Sequence, residues 1–294
     1  MNKKRSAFSG KIGYVLSAAG ASVGLGNIWR FPYLAAKYGG GIFLLVYIIL
    51  ALTFGYTMIV AESALGRMTR KSPVGAFRSF AKGKKVGWLS FGGWINAIIP
   101  VLIVPYYSVI GGWVVKYLFE YIRGNGSKLA EDGYFSGFIS NGGATEICFV
   151  IFCMFTLVII YAGVQNGIER VSKIMMPILI VLSVIIAIYS VTRPGAIEGV
   201  KYFLVPNVKN FSWMTVVAAM GQMFYSLSIA MGILVTFGSY MRKDTSIEDS
   251  TRNVEIFDTA IAMMAGLMII PAVFAFSGGD PDTCLLYTSP SPRD

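Results

Sequence analysis

Apolar residues run along this chain in seven blocks, at 12–36, 42–65, 88–121, 147–164, 171–191, 213–239 and 254–277. Each block is long enough to cross a bilayer as one helix, so the pattern predicts seven spans. Between the blocks lie short stretches rich in charge, Gly, Ser, Asn and Pro. Two blocks break the pattern. In the first, Gly20-Ala-Ser-Val-Gly-Leu-Gly-Asn-Ile-Trp-Arg-Phe-Pro32 carries three glycines, an asparagine, an arginine and a proline amid apolar residues. In the sixth, Gly221-Gln-Met-Phe-Tyr-Ser-Leu-Ser-Ile-Ala-Met-Gly232 sets Gln222, Ser226 and Ser228 between flanking glycines.

A break at membrane depth leaves backbone groups unpaired, and is tolerated only where protein or a cavity satisfies them. The half-helices then offer free amides at one end and free carbonyls at the other, suited to an anionic group and a small cation. Breaks at corresponding positions of two repeats point to a transporter's ion and substrate site. Spans one and six stand in that relation if the chain is built from two inverted five-helix repeats. The second repeat then needs spans eight to ten, which this sequence does not contain. Gly20-xxx-Gly24 is also a small-residue packing motif, and Ser226 and Ser228 can bond back to their own helix. The following Asn27 and Arg30, and the glycines around the serines, favour the broken-helix reading.

Composition agrees with a polytopic helical membrane protein: 55% of 294 residues are hydrophobic and 14% charged, with mean hydropathy +0.64. The net charge of +10 sits in loops and sets topology, so it does not indicate a nucleic-acid partner. Lys3, Lys4, Arg5 and Lys11 precede the first span. Arg67, Arg70, Lys71, Arg78, Lys82, Lys84 and Lys85 follow the second with no intervening acid, Arg170 and Lys173 lie near 165–173, and Arg242, Lys243 and Arg252 occupy 241–253. The opposite loops hold Arg123, Lys128, Arg193, Lys201 and Lys209 over longer stretches. The N-terminus is therefore expected in the cytoplasm, and seven spans place the far end outside. Of the outer connections, 122–146 reads as a loop and 192–212 can form a short surface helix.

The chain has no histidine, which excludes Ser-His-Asp and Cys-His catalysis and histidine-ligated metal. Cys148 and Cys153 lack metal-ligand spacing and read as small core residues, with Cys284 the third cysteine. The first apolar segment is too long for a signal peptide and lacks a cleavage site. Residues 1–281 read as one transmembrane unit without linkers. Residues 282–294 read as a vector-derived tail, so the chain is expected to be a truncated reading of a longer gene. Gly39-Gly-Gly41 reads as a turn, Trp88, Trp94 and Trp113 as interfacial or core residues, and Glu169 with Arg170 as a loop salt bridge.

Five motifs in order, namely Gly20 to Pro32, Glu62-Ser-Ala-Leu-Gly-Arg67, Tyr106-Tyr107, Gly167-Ile-Glu-Arg170 and Gly221-Gln222, resemble the neurotransmitter:sodium symporters, in particular their bacterial amino-acid members. The resemblance implies an all-α membrane fold, a LeuT-like inverted-repeat bundle with helices one and six broken, in a bacterial inner membrane. It implies a sodium-coupled symporter of a neutral amino acid working by alternating access, with no catalytic residue, no cofactor and no metal but sodium. One sodium site would take the Ser22 carbonyl, Asn27, Ser226 and Asp258, with the substrate carboxylate completing the shell. A second would take the carbonyls of Gly20 and Val23. The substrate carboxylate would meet the amides near Leu25 and Gly26 and the Tyr107 hydroxyl, with Ser22 nearby. Ile103, Tyr225, Ser228 and Met231 would line the side-chain pocket, Tyr225 also acting as a lid.

Gly24 stands where monoamine-carrying relatives have an aspartate, which favours an amino acid over an amine. Met231 suits a bulky or aromatic side chain. Asp258 replaces the usual asparagine and could supply the negative charge that many animal relatives take from chloride, so chloride is not expected to be required. Arg30 and Gln222 would form an outer gate, Arg5 and Tyr240 an inner one, and Glu62 would cap backbone amides of the broken sixth span. Two other readings stay open: a non-functional membrane fragment, and a sodium-independent exchanger of the same architecture.

Overall fold

The computed structural model describes residues 7–81, 88–129, 131 and 133–277, and within these the chain is helical with no strand. The first break is narrow. Helix α1 (Lys11–Ser22) ends where Val23 turns extended, with φ −73° and ψ 114°. The chain then winds through a π-helical stretch, Gly26–Arg30, into α2 (Phe31–Lys37), which has proline in its first turn. Pro32 has no N–H to place, so the start of a helix is where it costs least.

Helices α3 (Gly41–Leu50) and α4 (Tyr56–Thr69) join through a π-helical turn at Ala51–Gly55. Then come α5 (Pro73–Ala81), α6 (Leu89–Ile122), α7 (Gly126–Leu129), α8 (Tyr134–Ser140), α9 (Gly142–Tyr161) and α10 (Arg170–Val191). Helices α11 (Ala196–Leu204), α12 (Trp213–Ser226), α13 (Ile233–Tyr240) and α14 (Ile247–Ser277) complete the order. Five segments are long and apolar enough to cross a membrane: Gly41–Thr69, Ser90–Ile122, Gly142–Tyr161, Val164–Val191 and Ile247–Phe276. The two broken blocks are divided into α1 with α2 and α12 with α13.

Hydrophobic periodicity misplaced two helix starts. Helix α9 begins at Gly142 rather than 147 because the Asn141 side chain accepts from Ala144 N at 3.1 Å, capping the first turn. Helix α14 begins at Ile247 rather than 254. Ser246 Oγ accepts from Asp249 N at 3.3 Å, and Glu248 and Asp249 lie in the first turn, where acids favour the helix dipole. The 192–212 connection does contain a surface helix, α11, and it docks on the Gly39–Gly40 turn. Both glycines have positive φ, 97° and 61°, and at Gly40 a Cβ would overlap the Tyr202 carbonyl oxygen.

The core is knit by aromatic edges. Phe31 meets Tyr47 at 5.0 Å, Phe43 at 5.6 Å and Phe203 at 6.3 Å between ring centroids, all near perpendicular. Tyr202 OH donates to Ala36 O at 2.8 Å. Helices α4 and α13 lie backbone to backbone: a Cβ at Gly66 would overlap the Val235 carbonyl oxygen, and one at Gly238 the Ser63 carbonyl oxygen. Such glycine contacts let helices approach where lipid gives no hydrophobic drive to associate. Helix α9, by contrast, buries none of its residues, and Cys148 and Cys153 on it are half-buried free thiols. Trp88 and Trp94 are exposed.

Candidate functional site

The two breaks touch. Gln222 Nε2 donates to Gly26 O at 2.7 Å, and Ser228 Oγ to Ala21 O at 3.4 Å. The second break is the wider, spanning residues 227–232 between α12 and α13. It contains two non-glycine residues in the left-handed region, Ser228 (φ 55°) and Ala230 (φ 61°), a conformation that costs energy and needs outside support. Glu62 provides part of it: Oε1 accepts from Ala230 N at 2.7 Å. The buried acid of span two thus pairs with a backbone donor freed by the break.

Beside the first break lies a polar cluster inside the apolar core. Asn27, Tyr47, Ser226 and Asp258 are all fully buried. Asn27 Nδ2 donates to Asp258 O at 3.1 Å and Oδ1 at 2.8 Å, while Asn27 Oδ1 accepts from Gly24 N at 3.2 Å. Asp258 Oδ2 accepts from Ser226 Oγ at 2.8 Å and from Tyr47 OH at 3.2 Å. The cluster offers oxygens from a carboxylate, an amide and a hydroxyl, the donor set a hard cation takes. Ser22 lies close by; its own hydroxyl donates to Ala18 O at 3.1 Å.

Next to this cluster is a cavity of about 320 Å³ bordered by Gly20, Ser22, Val23, Gly24 and Gly26 on one side. Ile103, Tyr107, Tyr225, Ser228 and Met231, the expected substrate residues, line it as well. Leu25 does not: its side chain lines a separate depression with Trp29, Arg30, Tyr106 and Tyr225, but its amide donates to Tyr107 OH at 3.1 Å. Tyr106 and Tyr225 join through their hydroxyls at 2.6 Å. A Cβ at Gly24 would lie 2.6 Å from Tyr107 OH, so glycine is what lets the phenol reach the Leu25 amide.

Several expectations change. Gln222 donates to the Gly26 carbonyl oxygen, which also accepts from Phe31 N, and makes no hydrogen bond to Arg30 among the described residues. The Arg30 guanidinium lies over the Tyr225 ring, 5.0 Å from its centroid. Tyr240 packs at the other end of the bundle with Phe8, Tyr14 and Met241, and its carbonyl accepts from Phe8 N at 3.2 Å. Its expected partner Arg5 falls outside the described residues, as does the 282–294 tail. The pairing of Glu169 with Arg170 is replaced by Glu169 with Lys173, at 2.6 Å, and Ser9 donates to the same carboxylate through its amide (2.9 Å) and its hydroxyl. Residues four apart share a helix face, whereas neighbours in sequence diverge. Sequence reasoning missed Tyr47. In its apolar run, with Phe43 four residues before it, it reads as an ordinary core residue. Phe152 and Thr156 also border the cavity, and nothing in their spacing marks them.

The sequence model of the sodium:neurotransmitter symporter family matches residues 5–127 and 134–279. The chain is 36% identical over 286 residues to the sodium-dependent transporter YhdH of Bacillus subtilis, covering 96% of this chain and 62% of that one. It is 33% identical to a sodium-dependent transporter of Haemophilus influenzae, covering 94% and 62%. Among solved structures it superposes on the crystal structure of MhsT in complex with L-phenylalanine with a TM-score of 0.85 and 39% identity, over 95% of this chain and 63% of that chain. The chain thus spans about three fifths of the length of these relatives. With both helix breaks in place, and with nearly every described residue inside the matched segments, this chain belongs to the sodium:neurotransmitter symporter family.

Proposed function

We propose that the protein takes part in sodium-coupled symport of a neutral amino acid with a bulky hydrophobic or aromatic side chain, by alternating access. The observation that carries the reading is the link between the oxygen-rich Asn27–Ser226–Asp258 cluster and the cavity at the two breaks through Gly24, which lines the cavity and donates to Asn27. In this reading sodium binds in the cluster, and a second ion is held by the carbonyls of Gly20 and Val23. The substrate carboxylate sits against the amides of Leu25 and Gly26 and the Tyr107 hydroxyl, next to the first ion. Ion and substrate then stabilise each other directly. Ile103 and Met231, with Phe152, give the side-chain end an apolar lining, and the phenylalanine bound in the MhsT structure supports the same class. Arg30 and Tyr225 close the outer side. No step is covalent. Each sodium ion entering down 100 mV supplies about 2.3 kcal/mol, enough for about fiftyfold accumulation.

The Lys and Arg excess in alternate loops supports a multi-pass protein of the bacterial inner membrane with a cytoplasmic N-terminus. Asp258 carries a fixed negative charge inside the ion cluster, so chloride is not needed to balance sodium. Proteoliposomes with an inward sodium gradient are expected to take up tritiated L-phenylalanine at the same rate in chloride and in gluconate, and not when choline replaces sodium. Uptake indifferent to sodium would overturn the symport reading, and loss in gluconate the chloride one.

Gly24→Ala is expected to weaken amino-acid binding at least about tenfold, since the methyl displaces Tyr107 from the Leu25 amide. Calorimetric titration in saturating sodium measures it; unchanged affinity would remove Tyr107 from the carboxylate site.

A further inference from the structure

A second cavity, of about 250 Å³, lies between the α3–α4 π-helical turn and α14. Ile48, Ala51, Leu52, Ile256, Ala260 and Met263 make it apolar, and Thr259 and Glu255 are its polar lining. Glu255 is only 3% exposed. Its Oε1 is buried with no hydrogen-bond partner among the described residues. A carboxylate in hydrocarbon without a partner is costly, and intramembrane acids mark functional sites. No Lys or Arg borders this cavity. A cation seated in the cavity would give this carboxylate a partner.

We propose that this cavity is a binding site for a small apolar ammonium compound, its cationic head on Glu255 and its alkyl or aryl body against Ile48, Leu52, Ile256 and Met263. Charge complementarity selects the head, and the aliphatic walls exclude a hydrated ion, which would find one carboxylate and one hydroxyl in place of a full oxygen shell. The site is independent of the substrate reading: it shares no lining residue with the central cavity. It nevertheless borders the ion cluster. Ile48 follows Tyr47 on α3, and Thr259 follows Asp258 on α14, so a ligand wedged there acts on two of the helices that hold the cluster. Its occupancy and sodium binding are therefore linked, with equal and reciprocal effects on affinity.

The probe is n-hexylamine against n-hexanol, titrated onto the purified protein while its melting temperature is followed. Hexylamine is expected to raise the melting temperature saturably and hexanol not to. In Glu255→Gln the amine's apparent affinity should fall at least about tenfold, and in Ala260→Phe, which fills the cavity and leaves the carboxylate in place, the effect should vanish. A wild-type protein that ignores hexylamine would overturn the proposal. So would stabilisation that survives both changes, or that is lost in Tyr107→Phe and kept in Glu255→Gln, which would put the amine in the central cavity.

Discussion

Asp258→Ala is expected to abolish sodium-dependent binding of amino acid and to lower stability by about 3–5 kcal/mol. The size follows from what the carboxylate does. It accepts from Asn27, Ser226 and Tyr47, three donors on three helical segments that are all fully buried. Removing it leaves Ser226 and Tyr47 without an acceptor and Asn27 with only the backbone oxygen of residue 258, and each such loss costs about 1–3 kcal/mol. The ion loses its only full negative charge in the cluster, worth about 10–100-fold in affinity even where the remaining oxygens hold their places. Asp258→Asn separates the two effects. It keeps an acceptor for Tyr47 and Ser226 and removes the charge, while its amide NH2 meets Asn27 Nδ2, so this variant should lose less stability than Asp258→Ala while needing far more sodium. Tritiated phenylalanine binding against sodium concentration, with a thermal melt of each variant, reads both. Sodium dependence in Asp258→Ala equal to that of the unaltered protein would mean that the cluster is structural and the ion lies elsewhere.

How much of this was legible beforehand depends on the range of each interaction. The breaks could be read locally, because Gly20, Gly24, Gly26 and Asn27 stand in a run whose other members are mostly apolar, and because glycine and asparagine weaken a helix by their own chemistry. Glu62 was also legible, since an acid at that depth needs a donor and a broken helix offers one. Tyr47 was not. Its hydrogen bond spans 211 positions, and a tyrosine among isoleucines and leucines has the signature of an ordinary core residue. The expected Arg30–Gln222 gate misplaced Gln222 for a related reason: the side chain was read as facing Arg30, but its amide reaches the Gly26 carbonyl, which accepts from Phe31 N as well. Helix ends moved where polar caps extended them beyond the apolar runs. Asn141 and Ser246 do so, and hydrophobic periodicity carries no trace of either. The pairing of Glu169 with Lys173 rather than Arg170 follows from helix geometry once the helix is known to run through that motif.

Gly66→Ala should be among the most damaging single-methyl changes in the bundle, costing about 3 kcal/mol or more. Most overpacking is relieved by a side chain swinging aside. Here the added Cβ would meet backbone: the Val235 carbonyl oxygen, the Val235 carbonyl carbon at 2.8 Å and Ser239 N at 2.9 Å. Gly238 repeats the arrangement from the other side against Ser63, so neither helix can yield locally, and α4 and α13 must part along their shared length. That parting reaches the site. Helix α13 begins where the second break ends, and α4 carries Glu62, whose carboxylate supports Ala230 in the left-handed region. Moving the helices apart should lengthen this bond and loosen the turn bearing Ser228 and Met231. The variant is therefore expected to lose both thermal stability and amino-acid affinity, whereas Met68→Ala, on the exposed side of α4, should change neither beyond about 0.5 kcal/mol. Melting curves with and without substrate test the coupling. A Gly66→Ala protein of lowered stability but unaltered affinity would separate the α4–α13 contact from the binding turn, leaving Glu62 as its sole support from α4.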